Sequence, residues 1–152
     1  MLRIGKLTDY GVLLLTDMAA APAQLRSATE LAEKHHLGGA TVAKVLKLLS
    51  KAGLLETVRG SGGGYRLCCG AEDVKVSDII AALEGPIALT ECSVHDGNCS
   101  IESDCGVRTH WQVINNAVHS ALDKVTLADL CRPAKDIETT VIPLEAVGGL
   151  SR

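Results

Sequence analysis

Cys92, Cys99 and Cys105 lie within the stretch "ECSVHDGNCSIESDCGVRTHW", residues 91–111. Three thiols so close together are a set of soft, anionic ligands in waiting. A disulfide would use two and leave one over. Scattered free thiols in a polar, acidic loop would be open to oxidation. Structural zinc is normally held by short CxxC knuckles, and the spacing here is wider. An iron–sulfur cluster accepts such spacing and takes thiolates as ligands. A fourth, weaker ligand that is not a cysteine would make the cluster labile, which suits a sensor. The other three cysteines, Cys68, Cys69 and Cys131, are expected to be ordinary core or surface residues. Adjacent strand residues such as Cys68 and Cys69 point to opposite faces and chelate one metal poorly.

What positions this loop is legible in the flanking segments. The chain has 152 residues, no Phe, and only Tyr10, Tyr65 and Trp111 as aromatics. Its core must be built from Leu, Val, Ile and Ala, which favours a mostly α fold. The pattern predicts a helix over 8–20 with Thr8 as N-cap and Tyr10, Leu13, Leu14 and Met18 on its buried face. Residues 27–55 read as two helices. Ser27 and Glu30 have capping-box spacing at the start of the first. It ends near Leu37, and Gly38-Gly39 form a tight turn. The second runs from about Ala40 to Ala52, burying Val42, Val45, Leu46 and Leu49 and stopping at Gly53. "LLETVRG" and "YRLCC" read as two strands around a glycine turn. Two short helices and a glycine-tipped hairpin make a winged helix-turn-helix.

Charge agrees with this assignment. Residues 1–67 carry nine Lys/Arg against five Asp/Glu, a net +4, and the remainder six against thirteen, a net −7. A basic amino-terminal half on an acidic chain points to a polyanion-binding module. Thr41, Lys44, Lys47 and Lys51 fall on one polar face of the second helix, which would lie in the major groove of double-stranded DNA. Thr41 and Lys44 would meet bases or phosphates, Lys47 and Lys51 phosphates, and Arg59 on the hairpin a phosphate or the minor groove.

Beyond the wing, 74–84 is predicted helical with Ser77 as its cap, and Gly85-Pro86 end it. Helical periodicity returns over 107–125, where Trp111, Ile114, Val118, Ala121, Leu122 and Val125 form one stripe. This long helix has little core of its own, and packing against a second copy would bury the stripe and give the two-fold symmetry that matches a palindromic operator. The expected organisation is a winged domain over 1–88, a cysteine loop over 89–106, a dimerisation helix with a last helical turn over 107–131, and an irregular tail over 132–152.

The amino terminus is a poor secretory signal, since Asp9 and Asp17 bracket an apolar run of only five residues. A cytoplasmic protein with reduced thiols is expected. "GSGGGY" sits between strands and opens no helix, so nucleotide-loop readings fail. No substrate pocket or catalytic constellation stands out, so the chain does not read as an enzyme.

The segments "KLTDYGVLLL", "ELAEKHHL", "VLKLLSKAGLLETVRGSGGGYRL", "VSDIIAALEGPIALTEC" and "CGVRTHWQVINNAV" resemble the winged-helix iron–sulfur regulators of the IscR/NsrR-like family. The likeness covers roughly residues 1–130, and "LEGPIALTEC" is most similar to the branch regulating the SUF cluster-assembly operon. The resemblance implies a homodimeric repressor in which Cys92, Cys99 and Cys105 bind a [2Fe–2S] or [4Fe–4S] cluster. In one part of the family a histidine three residues after the third cysteine completes the set; here that position is Arg108, which cannot ligate iron. In another part an acidic residue in a "TD" sequence does so across the dimer. "LTDYG" matches, making Asp9 the leading fourth ligand, with His95, His110 and Glu91 as alternatives. A zinc- or thiol-based repressor of the same fold, and more remotely a cluster-bearing redox protein, are the rival readings.

Overall fold

A computed structural model describes residues 4–90, 93 and 105–133. The elements run α1 (Lys6–Ala19), α2 (Ala28–Lys34), α3 (Gly39–Lys51), β1 (Leu55–Val58), β2 (Gly64–Leu67), α4 (Val76–Glu84), α5 (Arg108–Asp123) and α6 (Leu127–Leu130). The fold is mostly helical with a two-stranded antiparallel hairpin, as the sequence predicts.

One apolar cluster unites α1, α2, α3, α4 and α6. Leu14, Leu15, Leu31, Val42, Val45, Leu46, Leu49, Val74, Ile79 and Leu127 are fully buried in it. All four residues expected on the inner face of α3 are there. On α1 the face is rotated from the expected one. Leu13 is 41% exposed, and Thr8, Gly11, Leu14, Leu15 and Met18 are the buried residues. The two registers differ by one residue in a run of three leucines, which periodicity alone does not separate.

Two expected caps are corrected. Thr8 is not the N-cap of α1: the helix begins two residues earlier, with Gly5 as N-cap. Ser77 does not cap α4, whose N-cap is Lys75. Both hydroxyls are buried inside first turns and donate to distant carboxylates, Thr8 to Glu84 and Ser77 to Asp123. A side chain that could cap locally has been recruited to join two helices instead.

The Ser27 cap does hold. Its hydroxyl accepts from the Glu30 amide at 3.1 Å, while the Glu30 carboxylate pairs with Arg26 and so forms no return half of a capping box. α2 stops at Lys34, short of Leu37. The left-handed residue in the turn is His36 (φ 54°), and Gly38 and Gly39 are the N-cap and first residue of α3. Gly53, at φ 80°, ends α3 as expected.

β1 and β2 pair Leu55 with Leu67, Glu56 with Arg66, Thr57 with Tyr65 and Val58 with Gly64. Arg26 adds a one-residue bridge on the other side of β2, its amide and carbonyl each bonded to Tyr65 at 2.9 Å. A Cβ on Gly64 would lie 2.7 Å from the Arg26 carbonyl oxygen, so this close approach needs glycine. α6, the last helical turn, is closed by a capping box between Thr126 and Asp129 and seats Leu127 in the core. Among the described residues no helix is long and apolar enough to cross a membrane.

Candidate DNA-binding face and cysteine segment

The second helix of the α2–α3 pair presents its polar face to solvent. Lys44, Lys47 and Lys51 are exposed and Thr41 is half-buried at the first turn. The buried Val42, Val45, Leu46 and Leu49 fix the rotation of the helix, so the lysine row points outward because the opposite stripe is apolar. β1 follows directly, and Ser50 at the end of α3 shares a hydrogen bond with Thr57 of β1 at 2.9 Å. This bond sets the hairpin against the helix.

Arg59 lies just beyond β1 at the hairpin turn and is exposed. It makes no ion pair among the described residues. Arg66 differs: its Nε donates to Glu56 Oε2 across the hairpin at 2.8 Å. The guanidinium holds the Glu56 carboxyl below its usual range. Arg66 is thus committed to the wing, while among the described residues Arg59 and the three exposed lysines pair with no carboxylate.

The cysteine segment connects α4 to α5. Cys92 and Cys99 lie outside the described residues, as do the alternative ligands Glu91 and His95. Cys105 is half-buried, and its carbonyl accepts from the Arg108 amide at 3.3 Å, opening the turn into α5. Asp9 is exposed in the first turn of α1, and no hydrogen bond or ion pair holds its carboxylate among the described residues. His110 is exposed on α5. Among the described residues no three His, Cys, Asp or Glu side chains gather into a metal-holding group.

The sequence reading missed two residues that anchor the end of α4 and Leu89 just beyond it. Glu84, the last residue of α4, accepts from the Gly5 amide at 2.6 Å and the Thr8 hydroxyl at 2.5 Å. A carboxylate delivered from another helix therefore caps α1. Asn115 is the buried residue of α5, and its Oδ1 accepts from the Leu89 amide at 3.1 Å. The residues entering the cysteine segment are tied to α1 at one point and to α5 at another. The signal for Glu84 was a carboxylate beside Gly85-Pro86; for Asn115 it was an amide falling in the apolar period of Trp111, Val118 and Leu122.

Cys68, Cys69 and Cys131 are exposed and free. Burial, with Asp73 and other acidic neighbours, pushes the Cys69 thiol up, and burial does the same to Cys131.

The model of the Rrf2 family, described as iron-dependent transcriptional regulators, matches residues 4–133. The chain belongs to the Rrf2 family. It is 32% identical over 141 residues to the HTH-type transcriptional regulator NsrR of Bacillus subtilis, covering 90% of this chain and 94% of that one. The structure of CymR, the global cysteine regulator of B. subtilis, matches with a TM-score of 0.66 at 30% identity, over 86% of this chain and 97% of that one. IscR of T. potens matches with a TM-score of 0.61 at 30% identity, over 85% of each chain. The relatives are transcription regulators, and the winged helix-turn-helix is the fold they share with this Rrf2 member.

Proposed function

We propose that this chain is a homodimeric, cytoplasmic regulator that binds a DNA operator and represses iron–sulfur cluster assembly genes of the SUF type. It senses cluster status through a cluster held by Cys92, Cys99, Cys105 and Asp9. The observation that carries the DNA half is the unneutralised row of Lys44, Lys47 and Lys51 beside the exposed Arg59. Such a row supplies phosphate contacts and strongly salt-dependent binding.

The donor set fits a cluster chemically. Three thiolates are the ligands that hold iron in such clusters, and one carboxylate leaves a weaker corner. Asp9 is exposed and uncommitted, as a ligand offered to a second subunit must be. The cluster, when bound, supplies a redox-active, labile iron centre. The chain's own residues supply the coupling. Glu84 ties the entrance of the cysteine segment to the turn of α1 that bears Asp9, and Asn115 ties it to α5. Closing or releasing the segment therefore biases where α1 and the two α3 helices sit. Ligation shifts DNA affinity only as far as it favours one arrangement over the other.

A thiol-based regulator without metal keeps the same DNA face. It rests on the match to CymR, a cysteine regulator by name, at 30% identity, the same as to IscR. Anaerobic purification of wild type and Asp9→Ala, with iron and sulfide analysis and visible spectra, separates the readings. The cluster reading expects a coloured protein whose spectrum or stability changes in Asp9→Ala. A coloured protein indifferent to that change moves the fourth ligand to His95, His110 or Glu91. A colourless protein that stays metal-free after reconstitution leaves the thiol reading, and one that carries zinc leaves a zinc-based repressor.

A further inference from the structure

The outer surface of α3 is chemically narrow. Gly39, Ala40, Ala43, Lys44, Lys47 and Lys51 are exposed, and the rest of the helix is partly or fully buried. A Cβ built on Gly39 would meet nothing within 4 Å, and Gly39 and Ala43 flank an open recess on the side facing Ala32 and Glu33 of α2. Residues 38–51 contain no Arg, Asn, Gln, Asp or Glu. Asn and Gln are the side chains that pair with adenine N6 and N7, and Asp and Glu those that accept from cytosine N4. What remains can address two edges: lysine the guanine O6 and N7, and alanine the thymine methyl. The Thr41 hydroxyl serves any base or a phosphate and discriminates little. The Ser50 hydroxyl is engaged with Thr57. Glu33 belongs to α2, the helix that crosses the backbone and does not enter the groove.

We infer that α3 reads only guanine and thymine edges in the major groove, with Lys44 the guanine reader and Ala40 and Ala43 the thymine-methyl readers. The inference rests on the DNA-binding reading above and specifies its alphabet. Adenine and cytosine are recognised only through their partners. Bases are contacted by the amino-terminal residues of a recognition helix. Lys47 and Lys51 stand further along α3 and take phosphates. Sequence discrimination then hangs on few groups, while much of the affinity is electrostatic.

The probe is a pool of random-sequence duplexes, selected on the full chain purified anaerobically. The enriched duplex is resynthesised with single substitutions that alter only the major-groove edge: uracil for thymine, 7-deazaguanine for guanine, 7-deazaadenine for adenine. Uracil and 7-deazaguanine are expected to weaken binding about fivefold or more at one or more positions, and 7-deazaadenine by less than about twofold everywhere. Lys44→Ala is expected to abolish the 7-deazaguanine effect, and Lys47→Ala to weaken all duplexes alike. A fivefold loss on 7-deazaadenine overturns the inference. So does a 7-deazaguanine effect that survives in Lys44→Ala. Indifference to uracil overturns the alanine assignment. A pool that yields no enriched sequence overturns the DNA-binding reading itself, and is thereby told apart from failure of the alphabet alone.

Discussion

The Thr8 hydroxyl donates to Glu84 Oε1 at 2.5 Å, and the same oxygen accepts the Gly5 amide at 2.6 Å. One carboxylate thus caps α1 and joins it to the end of α4, seventy-six residues later in sequence. Helix-capping and charge-assisted hydrogen bonds are each worth about 1–2 kcal/mol. Glu84→Ala is expected to lower stability by roughly that amount in urea unfolding. Thr8→Val removes the hydroxyl donor of the same bond, so the double variant should lose less than the two single losses combined. Additive losses would show that the two groups do not act as a pair.

A second contact fixes how closely α1 and α4 cross. A Cβ on Gly11 would fall 2.3 Å from Leu83 Cδ1, and Leu83 is buried. Gly11→Val is expected to cost roughly 1–3 kcal/mol by overpacking, despite replacing a poor helix former. Leu83→Ala in the same chain vacates the space and should recover part of the loss. Thermal unfolding of wild type and both variants measures this. A stabilised Gly11→Val would mean the helices separate freely.

The core of α3 and the presence of the hairpin were readable from sequence because a strong local period or turn residue specified each. Val42, Val45, Leu46 and Leu49 recur at helical spacing, and the wing glycines stand between two strand-like runs. Thr8 and Ser77 misled because their local chemistry is that of caps. What overrode it was a carboxylate far away in sequence, which no local pattern contains. Leu13 misled because three consecutive leucines allow two faces. The lysine row was legible as a face of α3. The bonds of Glu84 to the start of α1 and of Asn115 to Leu89 were not, since each joins residues far apart in sequence and no local pattern names the partner.

Asp17 makes stability depend on pH in a definite direction. Burial would raise its carboxyl pKa, but hydrogen bonds and charge from Lys34 and His35 prevail and hold it below the ordinary value of 3.8. The pair joins α1 to α2, with His35 Nε2 at 3.2 Å from Asp17 Oδ2. A lowered carboxyl stabilises the folded state above the ordinary value and loses that contribution as pH falls through the lowered one. Asp17→Asn should therefore be less stable at neutral pH by roughly 1 kcal/mol. The gap should close below about pH 4 as the wild-type carboxyl is protonated. Urea unfolding from pH 7 down to 3 tests this. A gap that widens in acid would contradict the assignment.

On α5, Val107 is 53% exposed, Trp111 40% and Ile114 45%. They follow one another at helical spacing, and among the described side chains nothing covers them. An apolar stripe of this kind on a helix is stable in water when it meets its own copy. Ile114→Asp places two facing carboxylates in that seam. Because position 114 is exposed within one chain, the variant should fold with unchanged helical content by circular dichroism. Sedimentation should show half the mass of wild type. Binding to a duplex with two half-sites should fall about a hundredfold, since each winged domain then binds without the effective concentration its partner provides. Binding to a single half-site should change little. A variant that remains dimeric would show that the stripe is not the interface, and the symmetry of the operator would then have to come from another face.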